Sequence, residues 1–245
     1  MKTCIIKQAA GIGDILFCQG IAKHYANSNH RVIYPLQSNL IYLQNYLVHP
    51  NIEFCNVEDD FEYKEYYNKG ISIDTEEFVF LNLDTSYMYI PYGYANDGIL
   101  PSKYQMVHLD PNSWINSLSI IRNSERERWL YYDYLKLTDE EPYILVNTKH
   151  GTPPNYAEFP IPSIDSENRL VSMDFIEGTT IMDWLLVMEK ASGIVTVDTC
   201  IQFILEKLNH NYEFYYCYTR DGSKNHIHRF GLDKVLTIKW NYMYN

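Results

Sequence analysis

The first group in the chain that could do chemistry is a carboxylate that follows two closely spaced glycines. The segment Gly11-Ile12-Gly13-Asp14 lies between an apolar run at residues 3–10 and an apolar helical stretch from residue 15. This pattern predicts a strand, a tight turn and a helix start, with glycines that let the backbone bend sharply and approach a ligand closely. The unpaired N–H groups of a helix start attract anions. We therefore expect Asp14 at the mouth of a ligand site rather than in the core.

A second group of polar residues follows a buried strand in the C-terminal half. Val195-Thr196-Val197 runs into Asp198-Thr199-Cys200, and a helical pattern begins immediately afterwards. Ligands gather at the carboxyl ends of parallel strands in open α/β sheets. The backbone N–H groups and the Thr199 hydroxyl could hold a pyrophosphate there. The alternative is an ordinary helix cap formed by the same Asp and Thr side chains.

The turn Gly178-Thr179-Thr180 repeats this arrangement one strand–helix unit earlier. Its threonines could face the same crevice as Asp198 and Thr199, which would place two hydroxyl-bearing turns beside one ligand. The alternative is again structural, because Thr180 is a suitable N-cap and Asp183 places an acid in the first turn of the helix.

A dinucleotide site at the first turn is disfavoured by the sequence. The G-x-G-x-x-G fingerprint requires glycine at position 16, where this chain has Leu16. No acidic residue closes the second predicted strand near Tyr34 to hold a ribose.

Composition limits the classes of partner and the compartment. The chain has 245 residues and a formal net charge of -11, so it has no overall electrostatic reason to bind nucleic acid. Its five cysteines have no metal-type or redox spacing, which predicts reduced thiols and a cytoplasmic protein. The first twenty residues contain no signal-peptide core, and no apolar run is long enough for a membrane span.

Strand and helix patterns alternate along both halves of the chain, which predicts parallel sheets with right-handed crossovers. An acidic linker ending at Pro142 suggests two domains, residues 1–138 and residues 139–245. Residues 84–111 are rich in Tyr, Gly, Asn and Pro and are expected to form a loop, and residues 235–238 are expected to form a strand. The expected fold class is therefore α/β, with two Rossmann-like parallel-sheet domains.

Three of these motifs, in this order, resemble those of the heptosyltransferase family. Gly11-Ile12-Gly13-Asp14 before an apolar helix is similar to the family's opening. Gly178-Thr179-Thr180-Ile181 resembles its glycine-threonine-serine-leucine turn, and Val197-Asp198-Thr199 resembles its Asp-Thr-Gly segment. The resemblance implies a compact glycosyltransferase B fold whose two domains face a cleft, the N-terminal domain holding the acceptor and the C-terminal domain the donor.

The resemblance also implies an activity and a set of roles. The activity would be inverting transfer of a sugar from a nucleotide-sugar, a co-substrate, to a glycan or other hydroxyl acceptor, with no metal and no bound cofactor. Asp14 would be the general base, with Gly11 and Gly13 making room for the acceptor. The implied donor-binding residues are Lys149, Gly178, Thr179, Thr180, Asp198, Thr199 and Cys200. Lys149 matches a basic residue of the family in position and charge, and its alternative is an ordinary solvated lysine.

Two departures from the family pattern keep other functions open. Cys200 stands where the family has glycine, and Phe203 stands where it has histidine. A non-catalytic protein that binds nucleotide-sugars is one alternative, and a nucleotide-sugar epimerase of the same fold is another. The segment from Arg220 to Arg229 is the one basic cluster. It is interpreted as a solvated turn or an anion site, and His226 and His228 within it lack a third metal ligand nearby in sequence.

Overall fold

A computed structural model describes residues 1–8, 11–69, 72–84, 97–152, 155–160, 164 and 167–244. The chain forms two compact units. Unit 1 contains Met1–Ile121 and His228–Val235, and unit 2 contains Arg122–Ile227 and Leu236–Asn245. The chain first passes from unit 1 to unit 2 after Ile121. The sequence predicted a domain boundary after residue 138. The functional roles assigned to the two domains stay predictions.

Unit 1 is built on a five-stranded sheet in the order β3-β2-β1-β5-β4. Its strands are β1 (Lys2–Lys7), β2 (His30–Leu36), β3 (Ile52–Asn56), β4 (Ile73–Asp74) and β5 (Phe78–Asn82). The pairs β3-β2, β2-β1 and β1-β5 are parallel, and the short edge strand β4 is antiparallel to β5. The buried apolar character of the central strands explains this arrangement, since parallel strands are covered on both faces.

The helices of unit 1 pack against this sheet, and the last of them lies in the segment His228–Val235, where the chain returns to the unit. They are α1 (Ile12–Phe17), α2 (Gln19–Asn27), α3 (Lys64–Lys69), α4 (Ile99–Gln105), α5 (Trp114–Ser117) and, near the C-terminus, α10 (Leu232–Val235). The described part of the unit also contains the 3-10 segments Ser38–Asn45 and Pro111–Ser113. The short returning segment is integral to unit 1, because Trp114 Nε1 donates a hydrogen bond to the Val235 carbonyl at 2.7 Å.

Unit 2 is built on a second sheet in the order β12-β11-β10-β6-β9, with every neighbouring pair parallel. Its strands are β6 (Tyr143–Asn147), β9 (Arg169–Ser172), β10 (Gly193–Val197), β11 (Tyr215–Tyr218) and β12 (Asn241–Met243). A separate antiparallel hairpin pairs β7 (Lys149–Thr152) with β8 (Asn155–Glu158). The chain therefore has two Rossmann-like parallel sheets, as predicted.

The helical segments of unit 2 include a π-helical stretch. The segments are α6 (Ser124–Arg128), the π-helix Trp129–Tyr134, the 3-10 segment Ile181–Trp184, α7 (Leu185–Lys190) and α8 (Ile201–Leu205). Helix α9 (Lys224–Phe230) begins in unit 2, and the chain then passes into unit 1. None of the helices in the described ranges is both long enough and apolar enough to cross a bilayer.

Two sequence predictions about local structure were wrong. Residues 84–111 were expected to form a loop, but helix α4 occupies Ile99–Gln105; residues 85–96 of that predicted loop lie outside the described residues. The expected strand at residues 235–238 is absent from the described chain, where α10 ends at Val235 and β12 begins at Asn241. Apolar content alone suggested that strand, and tertiary packing of Val235 in unit 1 overrides it.

Candidate functional site

The strand order of unit 1 places its first polar cluster at a topological switch point. The chain leaves β1 for β2 on one side, whereas β5 pairs with β1 on the other. A crevice is expected outside the carboxyl ends of two such strands. Gln8 follows β1 and Asp84 follows β5 within two residues, so both lie at this end of the sheet.

The turn after β1 presents Asp14 in the first turn of α1. Gly11 is the N-cap of α1, and Ile15 N donates to the Gly11 carbonyl at 3.0 Å. The φ of Gly11 is -84°, so its backbone requires no left-handed conformation. A Cβ at this position would instead lie 3.2 Å from Asp14 Oδ2. Gly11 therefore leaves room for the Asp14 carboxylate, while Gly13 lies inside α1.

Asp14 is paired with a lysine that the sequence analysis did not identify. Lys103 Nζ donates a hydrogen bond to Asp14 Oδ1 in a close ion pair. The Lys103 side chain is 2% exposed, whereas that of Asp14 is 28% exposed. Burial alone would lower the pKa of Lys103, but the neighbouring Asp14 carboxylate raises it above its ordinary value. Lys103 is therefore a charged partner, and Asp14 Oδ2 is the carboxylate oxygen left without it.

Lys103 lies in helix α4, and the adjacent residue Tyr104 fixes this helix in position. Tyr104 is fully buried, and its hydroxyl donates to the Phe17 carbonyl at 2.7 Å. Gly20 in α2 makes this contact possible, because a Cβ there would overlap with the Tyr104 hydroxyl. The signal that could have identified α4 is Leu100 four residues before Tyr104, with Pro101 tolerated in the first turn.

Asp84 adds a second carboxylate to the unit 1 cluster. Burial raises its pKa above the ordinary value, while the charges of Lys103 and Lys7 pull it down and that of Asp14 raises it further. Gln8 Oε1, just after β1, and the Tyr34 hydroxyl, on the neighbouring strand β2, are buried, and neither has a hydrogen-bond partner among the described residues. The cluster thus combines the ion-paired carboxylate of Asp14 with buried oxygen atoms, which suits recognition of hydroxyl groups.

Unit 2 has its own switch point between β6 and β10. Strands β9 and β10 flank β6 on opposite sides, and Lys149 and Asp198 follow β6 and β10. Lys149 Nζ donates to Asp174 in an ion pair, and this contact lowers the pKa of Asp174. Lys149 therefore lies at the carboxyl end of the sheet with its charge shared with a carboxylate, and its donor-binding role stays a prediction.

The Gly178-Thr179-Thr180 turn uses its hydroxyls within the protein. Thr179 Oγ1 donates to the Ile176 carbonyl at 2.7 Å. Thr180 forms a capping box with the fully buried Asp183, whose Oδ2 accepts from Thr180 N at 2.7 Å. Gly178 has a φ of +75°, a backbone that disfavours side chains. The helix-cap interpretation is confirmed, and a donor-binding role for these residues stays a prediction.

Arg126 is a further residue that the sequence analysis missed at this turn. Its Nε donates to Asp183 Oδ1 at 2.8 Å, and one of its terminal nitrogens donates to the Gly178 carbonyl. Arg126 thus neutralises the buried Asp183 and fixes the turn.

Asp198 is buried and binds two cations of its own unit. Its Oδ1 accepts from Arg220 N and from Arg220 Nε, each at 3.0 Å, and its Oδ2 lies 2.5 Å from His226 Nε2. The solvated-turn interpretation of the basic cluster is wrong for His226, which is buried. His228 lies 3.4 Å from Asp233 instead, and the described residues contain no group of three side chains placed to hold a metal ion.

Thr199 and Cys200 follow Asp198 before α8. Thr199 Oγ1 accepts from Ile201 N at 3.4 Å, so its own proton is available to a ligand. Burial raises the pKa of the Cys200 thiol to about 12, which keeps it protonated and unreactive. The Phe203 side chain, on helix α8, is buried and supplies no polar group. Donor binding by Thr199 and Cys200 stays a prediction.

The chain matches no protein-family model, and no curated protein sequence matches it significantly. Its structure is similar to solved glycosyltransferases at 9% sequence identity. ADP-heptose LPS heptosyltransferase II of E. coli aligns with TM-score 0.50 over 99% of this chain and 90% of that one. The iron-containing dodecameric glycosyltransferase TibC from enterotoxigenic E. coli aligns with TM-score 0.51 over 92% and 60%. A family 9 glycosyl transferase from Veillonella parvula aligns with TM-score 0.44 over 89% and 80%.

The alignments to heptosyltransferase II and TibC establish the fold. Both have TM-scores of at least 0.50 and extend over nearly all of this chain, although the chain spans only 60% of TibC. The predicted resemblance to the heptosyltransferase-like glycosyltransferase B fold is therefore confirmed at the level of fold.

Proposed function

We propose that the protein is an inverting glycosyltransferase that moves a sugar from a nucleotide-sugar to a hydroxyl acceptor. The observation that carries this proposal is the position of Asp14 and of Lys149 with Asp198. Each group lies at the switch point of one Rossmann-like sheet in a fold shared with glycosyltransferases. In this proposal unit 1 receives the acceptor and unit 2 receives the donor.

Asp14 is the general base of the proposed reaction. Lys103 occupies Oδ1, so Oδ2 is the oxygen that accepts the proton of the acceptor hydroxyl. The acceptor oxygen then forms a bond to the anomeric carbon as the bond to the diphosphate oxygen breaks, which inverts the anomeric configuration. Lys103 keeps a positive charge beside Asp14, and this ion pair holds the carboxylate in position for the acceptor hydroxyl.

The departing diphosphate requires positive charge and N–H donors. Lys149 and the groups at Thr199 and Cys200 supply these in unit 2. No step of this scheme uses a metal ion, and the donor is a co-substrate that leaves as a nucleoside diphosphate. This part of the proposal predicts activity in the presence of EDTA.

Release of nucleoside diphosphate from a panel of UDP-, GDP-, ADP- and dTDP-sugars tests the proposal. Transfer to water is measured first because it needs no known acceptor, and glycan acceptors are then added with EDTA present. We expect release with at least one donor and, by NMR, a product with inverted anomeric configuration. Absence of release from every donor would contradict the proposal.

A non-catalytic nucleotide-sugar-binding protein is the second candidate. It is favoured by Cys200 and Phe203, which stand where the heptosyltransferase family has glycine and histidine. The same panel distinguishes the candidates. A binder gives saturable binding without release, and an epimerase, the third possibility, converts the donor sugar without releasing nucleotide.

A further inference from the structure

Arg220 is a partly exposed cation held by a buried carboxylate at the carboxyl end of the unit 2 sheet. It follows β11, which pairs with β10, so it lies beside Asp198 on neighbouring strands. Its backbone N and its Nε both donate to Asp198 Oδ1 at 3.0 Å. These two bonds fix the guanidinium against the strand end, although its side chain is 41% exposed.

Asp198 is itself held from the other side. His226 Nε2 lies 2.5 Å from Asp198 Oδ2, and His226 Nδ1 lies 3.3 Å from Asp221. Contacts with both carboxylates raise the pKa of His226 even though burial lowers it. Both carboxylate oxygens of Asp198 therefore have partners within unit 2. Asp198 acts by positioning Arg220 and does not itself contact a ligand.

The free edge of Arg220 is suited to a phosphate. Within the described part of the chain, neither terminal nitrogen of its guanidinium has a hydrogen-bond partner. Burial lowers the pKa of His150, which lies in the hairpin strand β7, and the Arg220 charge lowers it further. A planar guanidinium with two unused N–H donors binds phosphate oxygens in a bidentate manner, and a fixed guanidinium loses little entropy on binding.

We propose that Arg220 binds the diphosphate group of the donor, with Asp198 and His226 as positioning residues. The identification of the ligand as a sugar donor rests on the proposed function, whereas the diphosphate chemistry rests on Arg220 itself. This assignment revises the sequence prediction for Asp198, which was expected to contact the donor directly.

Binding of inorganic pyrophosphate, measured by calorimetry in EDTA, tests the role of Arg220 without knowledge of the nucleotide or the sugar. We expect the wild-type chain to bind, and Arg220→Gln to bind at least ~10-fold more weakly. Arg220→Lys should fall between them because a lysine keeps the charge but not the bidentate geometry. The matched control is Arg128→Gln, which removes an exposed arginine of the same unit and should leave affinity unchanged.

Two variants at residue 226 test the positioning role. His226→Gln keeps a donor that can reach Asp198, whereas His226→Leu removes it. We expect pyrophosphate affinity to fall several-fold in the leucine variant and to recover in the glutamine variant, with both folded by circular dichroism. A role in stability alone would change the melting temperatures and leave the affinities equal, which would overturn the positioning assignment.

The outcomes separate this inference from the proposed function. Wild-type protein that fails to bind pyrophosphate, or Arg220→Gln that binds it as well as wild type, overturns the role of Arg220 even when sugar transfer is observed. Arg220-dependent pyrophosphate binding without release from any sugar donor supports this inference and contradicts the proposed glycosyltransferase.

Discussion

At the scale of single residues, the pairing of Asp14 with Lys103 determines how the candidate base can be tested. Lys103 is almost completely buried, so Asp14→Asn leaves an uncompensated charge in the interior. Removing one partner of a buried pair costs about 3 kcal/mol or more. A loss of activity in that variant would therefore mix lost chemistry with lost stability.

The histidine beside Asp198 predicts a pH dependence of stability. Asp198 and Asp221 raise the pKa of His226 above its ordinary value of 6.5, against the opposing effects of burial and of the Arg220 charge. Its stabilising contribution is therefore complete below about pH 6.5 and is lost as the pH rises through the folded-state value. We expect the difference in unfolding free energy between wild type and His226→Gln to be larger at pH 5.5 than at pH 9.

Urea unfolding across that range measures this difference. His228→Gln is the control, because His228 is exposed and its substitution should change stability little at any pH. A difference between wild type and His226→Gln that grows with pH would contradict the charged pairing.

At the scale of elements, the sequence correctly predicted the strands and helices whose hydrophobic pattern and capping residues indicate the same boundary. The buried strand predicted from Val195-Thr196-Val197 is part of β10, because a short buried run is closed there by polar residues. The Thr180 cap was likewise visible, since Asp183 stands three residues later. Local pattern and tertiary structure agree at both places.

The elements that complete the candidate sites were harder to predict. Helix α4 has only seven residues and contains Pro101, and its Tyr104 contacts the Phe17 carbonyl of α1 and Gly20 of α2. Arg220 and His226 reach Asp198 across 22 and 28 residues of sequence. Such distant pairs leave no periodic signal, so the sequence identified the turns but not their partners.

The contact between α2 and α4 predicts a substitution that acts on both stability and activity. Gly20→Ala places a methyl group against the Tyr104 hydroxyl, and overpacking of this kind costs about 1–3 kcal/mol. Because Tyr104 adjoins Lys103, we also expect slower sugar transfer. The measurements are urea unfolding and kcat.

The double variant Gly20→Ala/Tyr104→Phe provides the control for this contact. It removes the hydroxyl that the new methyl group would meet, so part of the lost stability should return. An equally destabilised double variant would show that the Gly20 position acts through something other than Tyr104.

At the scale of the whole molecule, the chain path makes unit 1 depend on residues near the C-terminus. Leu232 and Val235 are buried in unit 1, while Leu236 is buried in unit 2. Two leucines four residues apart thus belong to different compact units. The boundary between the two compact units therefore lies where residues stop contacting one unit and begin contacting the other. The sequence suggested a boundary at the acidic linker instead.

These leucines form a matched pair for testing that path by hydrogen exchange. Leu232→Ala should speed amide exchange in β1 and β5, whereas Leu236→Ala should speed it in β10 and β11. Each substitution of a buried leucine costs about 2–5 kcal/mol. Faster exchange of the same sheet in both variants would contradict the assignment of His228–Val235 to unit 1.

The measurement that most directly tests the account compares Lys103→Met with the double variant Asp14→Asn/Lys103→Met. Neither variant contains an unpaired buried lysine, and they differ only in the carboxylate proposed as base. We predict that kcat for sugar transfer is at least ~100-fold lower in the double variant, while the two bind nucleoside diphosphate equally. Equal kcat values in the two variants would contradict Asp14 as the base.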